Sequence, residues 1–298
     1  NAKTYAKKVI DSPYKLYTTK KGQWSAYQQL FMGDNGENGA SVEAIFPILQ
    51  DGLKTTSYGT TLYLMAGSND NSEHIKSATI AGNSTTGGWA GNRMRPDLVL
   101  KFFPNNDAPN VAAYAMPAAA DDDRALFDGE GRNVSNGDDE KGVKVFTNGF
   151  SVCKFNNFKT DGSAGHNSLF PDADFFLMRA AEAYLMYAEA DARQNNGTTT
   201  AQGTAYINAL RTRANATTQT AYSLRQICDE WSREFYFEGL RRTTLIRFGY
   251  FGGNVNYNWS WKGGVKNGRN FDSHLNLFPI PTSDLVANEA NLIQNPGY

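Results

Sequence analysis

The sequence is poor in the residues that most often carry chemistry. Only two cysteines, Cys153 and Cys228, occur in 298 residues. They form no CxxC or zinc-type spacing, and each sits beside apolar neighbours, so two buried free thiols are expected rather than a disulfide. The three histidines, His74, His166 and His274, are isolated in loop-like sequence without HExxH or paired-ligand spacing. No GxSxG nucleophile elbow and no P-loop occur. The balance of 29 Lys and Arg against 30 Asp and Glu leaves a formal charge of −1. That removes the basic excess on which phosphate binding depends, so no nucleic-acid partner is expected. No apolar run approaches the ~20 residues of a membrane-spanning helix.

The first residues, Asn1 to Ile10, lack an initiator Met and a signal-peptide core. They read as a helix already under way, which predicts that the chain is a fragment of a longer one. Gly87-Gly88-Trp89-Ala90-Gly91 is glycine-rich, but no strand-then-helix pattern frames it, and Trp fits badly where backbone must approach phosphate. Glu182, Glu189, Glu234 and Glu238 accompany Arg179, Arg233, Arg241, Arg242 and Arg247. The expected role of these charges is a structural network. A hydrolytic carboxylate pair is a spatial feature, so a glycoside hydrolase or lyase stays open as an alternative. Asp34-Asn35-Gly36-Glu37-Asn38-Gly39 suggests calcium by its oxygen content. It lacks the EF-hand ladder of ligands, so a solvated turn is the expectation, and no cofactor is required.

What the chain does have is aromatics and glycine: 13% aromatic residues, among them 15 Tyr and 5 Trp, with 28 Gly. Its texture changes near residue 172. Residues 1–171 alternate short apolar runs, such as Val42–Leu49 and Thr61–Met65, with Gly, Asn, Asp and Ser clusters. This predicts a loop-rich region with short strands and helices; the stretches 66–92 and 128–142 show no periodicity. Residues 172–298 turn helical. Phe176, Ala180, Ala183, Tyr184, Tyr187 and Ala188 share one face of a helix running to about Gln194. Asn195-Asn196-Gly197 ends it. A second helix spans Ala201 to Ala214 with Ile207, Leu210 and Ala214 inward, making a helical hairpin. A third starts at the Ser223…Gln226 capping box and carries Leu224, Ile227, Cys228, Trp231 and Phe235 as its apolar stripe. Gly239 interrupts it, and Leu240–Phe248 resumes as a short helix. The Pro-bounded segment Leu277–Pro281 predicts an extended, docked tail.

Four of these segments carry a family resemblance. Arg179-Ala180-Ala181-Glu182-Ala183-Tyr184-Leu185-Met186-Tyr187-Ala188-Glu189-Ala190 resembles the RxAExYLxYAEA helix of SusD/RagB-family proteins. Ile207 to Ala214 is similar to that family's INxxRxRA helix, and Arg233 to Gly249 resembles its RELxxEGxRRxDLIRxG block. Leu277–Pro281 followed by Gln294-Asn295-Pro296-Gly297-Tyr298 resembles its ending. Ala2–Leu16 and Asp122-Asp123-Arg124 match more loosely, so the likeness covers the whole chain but only the C-terminal portion of a full member. Thr244, Phe235 and Trp231 depart from the pattern, in a structural helix rather than at a sugar site.

The resemblance implies a mainly α fold, with a tetratricopeptide-type helical scaffold carrying a loop-rich ligand-binding region that contains short strands. It implies non-catalytic binding of oligosaccharides by an outer-membrane surface lipoprotein, anchored through a lipid on the absent N-terminal part. Delivery would be to a SusC-like TonB-dependent transporter. Tyr63–Gly67, Gly87–Arg93 and Asn258–Val265 look most like the starch-binding branch. Tyr63 and Trp89 would then supply stacking rings, with Asn92 and Arg93 at the sugar's hydroxyl rim. Sugars suit such residues, because a pyranose offers an apolar face to a ring and a polar rim to side-chain partners. Trp259 and Trp261 are expected to anchor their glycine-rich loop. A protein-binding helical scaffold is the second alternative.

Overall fold

The computed structural model describes residues 1–69, 88–134, 145–288 and 291–298. His74, Gly87 and much of the aperiodic stretches 66–92 and 128–142 lie outside the described residues. The chain forms two compact units, Asn1–Glu238 and Gly239–Tyr298. In chain order the first carries α1 (Ala2–Ile10), α2 (Ala26–Gln29), β1 (Ala44–Ile48), α3 (Thr60–Ala66), α4 (Pro96–Val99), α5 (Met116–Ala120), β2 (Phe127–Asp128), β3 (Ser151–Val152), β4 (Phe175–Arg179), α6 (Ala180–Gln194), α7 (Ala201–Arg213) and α8 (Leu224–Phe235). The second carries α9 (Arg241–Arg247) and α10 (Thr282–Ala287), with short 3-10 turns at Lys262–Gly264 and Ser273–Asn276.

The mainly α architecture agrees with the sequence, with one correction at the start of the main hairpin. Phe176 does not begin a helix. Phe175–Arg179 is a strand that pairs antiparallel with β1, Phe46 opposite Met178 and Ile48 opposite Phe175. Aromatic residues favour a pleated, half-buried surface, and Arg179 sits in extended backbone as the residue that caps α6. The helix therefore starts at Ala180. It ends as expected, with Asn196 and Gly197 both at positive φ. α7 follows, and Asp191 of α6 accepts from the Thr200 backbone N–H at 2.7 Å and from its hydroxyl at 2.9 Å. Lys3 of α1 reaches the other Asp191 oxygen at 2.8 Å, joining α1 to the hairpin. The Ser223–Gln226 capping box of α8 is present.

Two apolar clusters fill the first unit. One gathers Tyr17, Tyr27, Leu30, Phe31, Leu62, Met65, Phe155 and Phe176; the other gathers Met94, Phe102, Met116, Phe127, Phe150, Val152 and Tyr236. Both cysteines are buried free thiols. Asp34–Gly39 is a turn exposed at Gly36, Glu37 and Gly39, but two of its side chains point inward. Asn35 and Asn38 are buried, Asn35 donates to the Leu30 and Asp174 carbonyls at 2.9 Å, and Asp34 accepts from Thr160. The polar side chains serve as internal partners for backbone groups that would otherwise be buried unpaired.

A lattice of buried charges lies under α6, α7 and α8. Arg179 donates to Glu43 at 2.8 Å, to Glu234 at 2.6 Å and to Glu238 at 2.7 Å. Arg213 bonds the same Glu43 and Glu234. Arg124 chelates Asp122 with both bonds at 2.8 Å and reaches Glu230 at 2.7 Å. Lys154 meets Glu238 at 2.6 Å, and burial pulls its ammonium down to about 8 despite that carboxylate. Burial alone would raise Glu234, but Arg213, Arg179 and Arg124 outweigh it and hold the carboxyl at about 2.

Removing one partner strands the others without water, a loss of ~3–5 kcal/mol for buried pairs. Arg179→Met should therefore lower the stability measured by urea unfolding by about that amount. The Glu234 carboxyl titrates lower in the folded than in the unfolded chain, so its contribution is complete above its ordinary 4.5 and disappears as pH falls toward 2. Urea midpoints should be unaffected by this group above that value. Below it they should fall, with roughly 3 kcal/mol lost by the lower limit.

Candidate functional site

α3 presents a ring outward because of its helical period. Leu62, Met65 and Ala66 are buried in the first core cluster; Thr61 is buried too, and its hydroxyl donates to the Ala173 carbonyl at 3.0 Å. Tyr63, next to Leu62, falls on the opposite face and is 52% exposed. Tyr63 lies in an apolar run of sequence, and the turn of the helix places it at the surface.

Trp89 reaches the same place from a loop. Its backbone N–H donates to the Ala66 carbonyl at 2.8 Å, and those of Gly91 and Asn92 donate to the Gly67 carbonyl at 3.0 and 2.5 Å. The Ala90 N–H donates to the Asn69 carbonyl at 2.7 Å. Carbonyls at a helix C-terminus have no intrahelical donors, and this loop supplies them. The Trp89 ring, 40% exposed, stands 6.2 Å from that of Tyr63, with an angle of 58° between the planes.

Asn92 and Arg93 follow directly. Asn92 is half-buried, its side-chain amide packed over Gly67. Arg93 is also half-buried, and burial lowers its guanidinium somewhat from the usual value. Its Nε donates to the Asn148 carbonyl at 2.8 Å, and Gly149, at φ +133°, leaves room for its aliphatic stem. Met94 and Phe150 then exchange backbone hydrogen bonds at 2.7 and 3.1 Å, so the loop is held on this side as well. The four residues singled out in the sequence thus stand on one short stretch of surface. The supports it did not reveal are Gly67, Asn69, Asn148 and Gly149, which act through backbone contacts that leave no chemical signature in a side chain.

The remaining candidates sort differently. Glu234 and Glu238 are buried in the charge lattice, while Glu189 pairs with Arg193 along α6. Trp259 lies in an aromatic cluster of the second unit with Phe251, Tyr257 and Phe271. The buried Lys262 ammonium sits 4.7 Å from its ring centroid. His166 is not spatially isolated: Asp51, His166 and Asp172 bring metal-ligating atoms within 4.8 Å of one another, the group of this kind among the described residues. Protein donors already occupy its carboxylates. Asp172 accepts from the Gly52 and His166 backbones at 2.8 and 2.7 Å, and Asp51 accepts from Leu53 at 2.8 Å. No helix among the described residues is long and apolar enough to cross a membrane.

Comparison with known proteins places this arrangement. The model of the SusD family matches residues 42–298. The chain belongs to the SusD family. It is 40% identical over 329 aligned residues to a Bacteroides thetaiotaomicron protein named starch-binding protein SusD, covering 100% of this chain and 55% of that one. Among solved structures, surface glycan-binding protein A from Bacteroides thetaiotaomicron superposes with a TM-score of 0.59 at 21% identity, covering 99% of this chain and 58% of that one. A SusD-like protein from Bacteroides fragilis gives a TM-score of 0.60 at 18% identity, covering 99% and 62%. These structural likenesses carry the fold. The chain spans little more than half the length of these relatives, two of which are named as binding proteins.

Trp24 and Trp231 are buried and Trp89 is the tryptophan most open to solvent. Trp89→Phe should therefore remove the largest part of the acrylamide-quenchable emission, measured by Stern–Volmer titration against the unaltered protein.

Proposed function

We propose that this chain is the glycan-holding part of a surface receptor that captures oligosaccharides, foremost maltooligosaccharides of starch, without cleaving them. The observation that carries this reading is the exposed Tyr63–Trp89 ring pair. Two flat apolar faces at 6.2 Å and 58° offer successive sugar units non-parallel stacking surfaces. A glucan that turns from unit to unit can meet both. Asn92 and Arg93 stand beside the rings to satisfy hydroxyls that stacking removes from water, which would be costly without partners. The choice of starch is supported by the 40%-identical relative named as starch-binding.

Capture without chemistry accords with the burial of Glu230 and Glu234, which are 0% exposed and saturated by arginines, leaving neither free for proton transfer to a sugar. In the complete protein, the bound glycan would pass to a SusC-like TonB-dependent transporter. The receptor would sit on the outer membrane as a lipoprotein anchored through its N-terminal part.

Calorimetric titration with maltoheptaose should give measurable heat, and Trp89→Ala should weaken binding about tenfold or more, as loss of a stacking hot spot does. The sugar should be recovered uncut. Reducing ends that accumulate with time would favour the hydrolase reading instead. No heat from the unaltered protein, together with a transporter interaction that survives Trp89→Ala, would favour a protein-binding scaffold.

A further inference from the structure

Beyond the rings themselves, the geometry points to Gly67 as the residue that sets their relationship. We infer that Gly67 is a positioning residue that holds Trp89 against the helix bearing Tyr63, so that the two rings form one preset unit; its role in binding rests on the glycan reading above. Gly67 is the C-terminal cap of α3, and its backbone is ordinary right-handed helix, φ −63° and ψ −21°. Conformational freedom therefore does not explain a glycine here. Space does. A Cβ at this position would lie 2.6 Å from the Tyr63 carbonyl oxygen and 2.7 Å from the Asn92 amide nitrogen. The first of these is backbone and cannot swing away. The second belongs to the loop that carries Trp89.

The same residue is the acceptor at the centre of the contact. Its carbonyl takes the N–H groups of both Gly91 and Asn92, while its own N–H donates to Tyr63 at 2.9 Å. Tyr63, Gly67 and the loop are thus one hydrogen-bonded chain, and the missing side chain lets it close. The Asn92 amide could swing aside, but a β-carbon must also clear the fixed Tyr63 carbonyl, which displaces Gly67 together with the carbonyl that takes Gly91 and Asn92, and so loosens the N–H of Trp89 from Ala66. The ring would survive, but its place relative to Tyr63 would not, and affinity that comes from a prearranged surface would be lost.

The test is Gly67→Ala in the intact chain, read by two independent measurements. Amide hydrogen exchange at Trp89, Ala90, Gly91 and Asn92 should accelerate, while α6 and α7 remain protected. Maltoheptaose affinity should fall about tenfold or more. Gly203→Ala serves as the control for crowding alone. There a Cβ would meet the Asp191 carboxylate at 2.4 Å in the α6–α7 hairpin, and the melting temperature should drop with glycan affinity unchanged. Unchanged exchange at 89–92 in Gly67→Ala would overturn the inference. So would accelerated exchange with unaltered affinity. If the unaltered protein fails to bind maltoheptaose, the glycan reading falls by itself. The exchange data then decide the clamp: acceleration supports it, and no change removes it.

Discussion

The interaction on which the first unit depends is the bonding of Arg179 and Arg213 to Glu43 and Glu234. These four side chains are fully buried and come from the turn just before β1, the β4–α6 junction, α7 and α8. Glu238, Arg124 and Lys154 extend the contact to the end of α8 and to the short strands. Apolar packing alone tolerates many arrangements of similar volume, because it is not directional. A guanidinium fork facing carboxylates tolerates few. The lattice therefore restricts how the helical hairpin, α8 and the β1–β4 pair can meet, and it does so at the cost of desolvating every charge involved.

That restriction reaches the Tyr63–Trp89 surface through the apolar core. β4 lies against β1, and the Ala173 carbonyl just before it receives the Thr61 hydroxyl at the beginning of α3. Leu62, Met65 and Ala66 then settle α3 into the cluster that also holds Phe176. With its inner face so committed, the helix has one orientation, and Tyr63 faces water. The loop of Trp89 is in turn fastened to the last turn of the helix and, through Met94 and Phe150, to the second cluster. The ring pair is thus supported from both cores. Prearrangement of this kind is what an exposed, shallow sugar site needs, since each hydroxyl contact also competes with water.

Membership in the SusD family and a match to only about half of its relatives' length bear on different parts of the argument. The family match covers residues 42–298, the loop-rich part as well as the helical section, and the charge lattice joins the two. The ring pair belongs to the loop-rich part, where backbone rather than side-chain identity does much of the holding. The function proposed for the chain therefore stands on the geometry of Tyr63 and Trp89, and the fold on everything beneath them.

The sequence by itself determined the hairpin of α6 and α7, the capping box of α8, the turns at Asn195–Gly197 and Gly249, the buried thiols and a charge network involving Arg179, Glu234 and Glu238. These are legible because helical periodicity, caps and positive-φ turns are local rules. Tyr63 and Trp89 became ring candidates through the family resemblance rather than through any local rule. Tertiary structure alone decided that Phe175–Arg179 is a strand, because its partner β1 lies more than a hundred residues earlier. It alone added Glu43, Arg124, Arg213 and Lys154 to the lattice, gave Asn35 and Asn38 internal partners, and brought His166 beside Asp51 and Asp172. It alone set two aromatic rings side by side with a glycine between their supports. Contacts across such distances follow no period in the chain; they exist only once the cores have closed and brought the segments together.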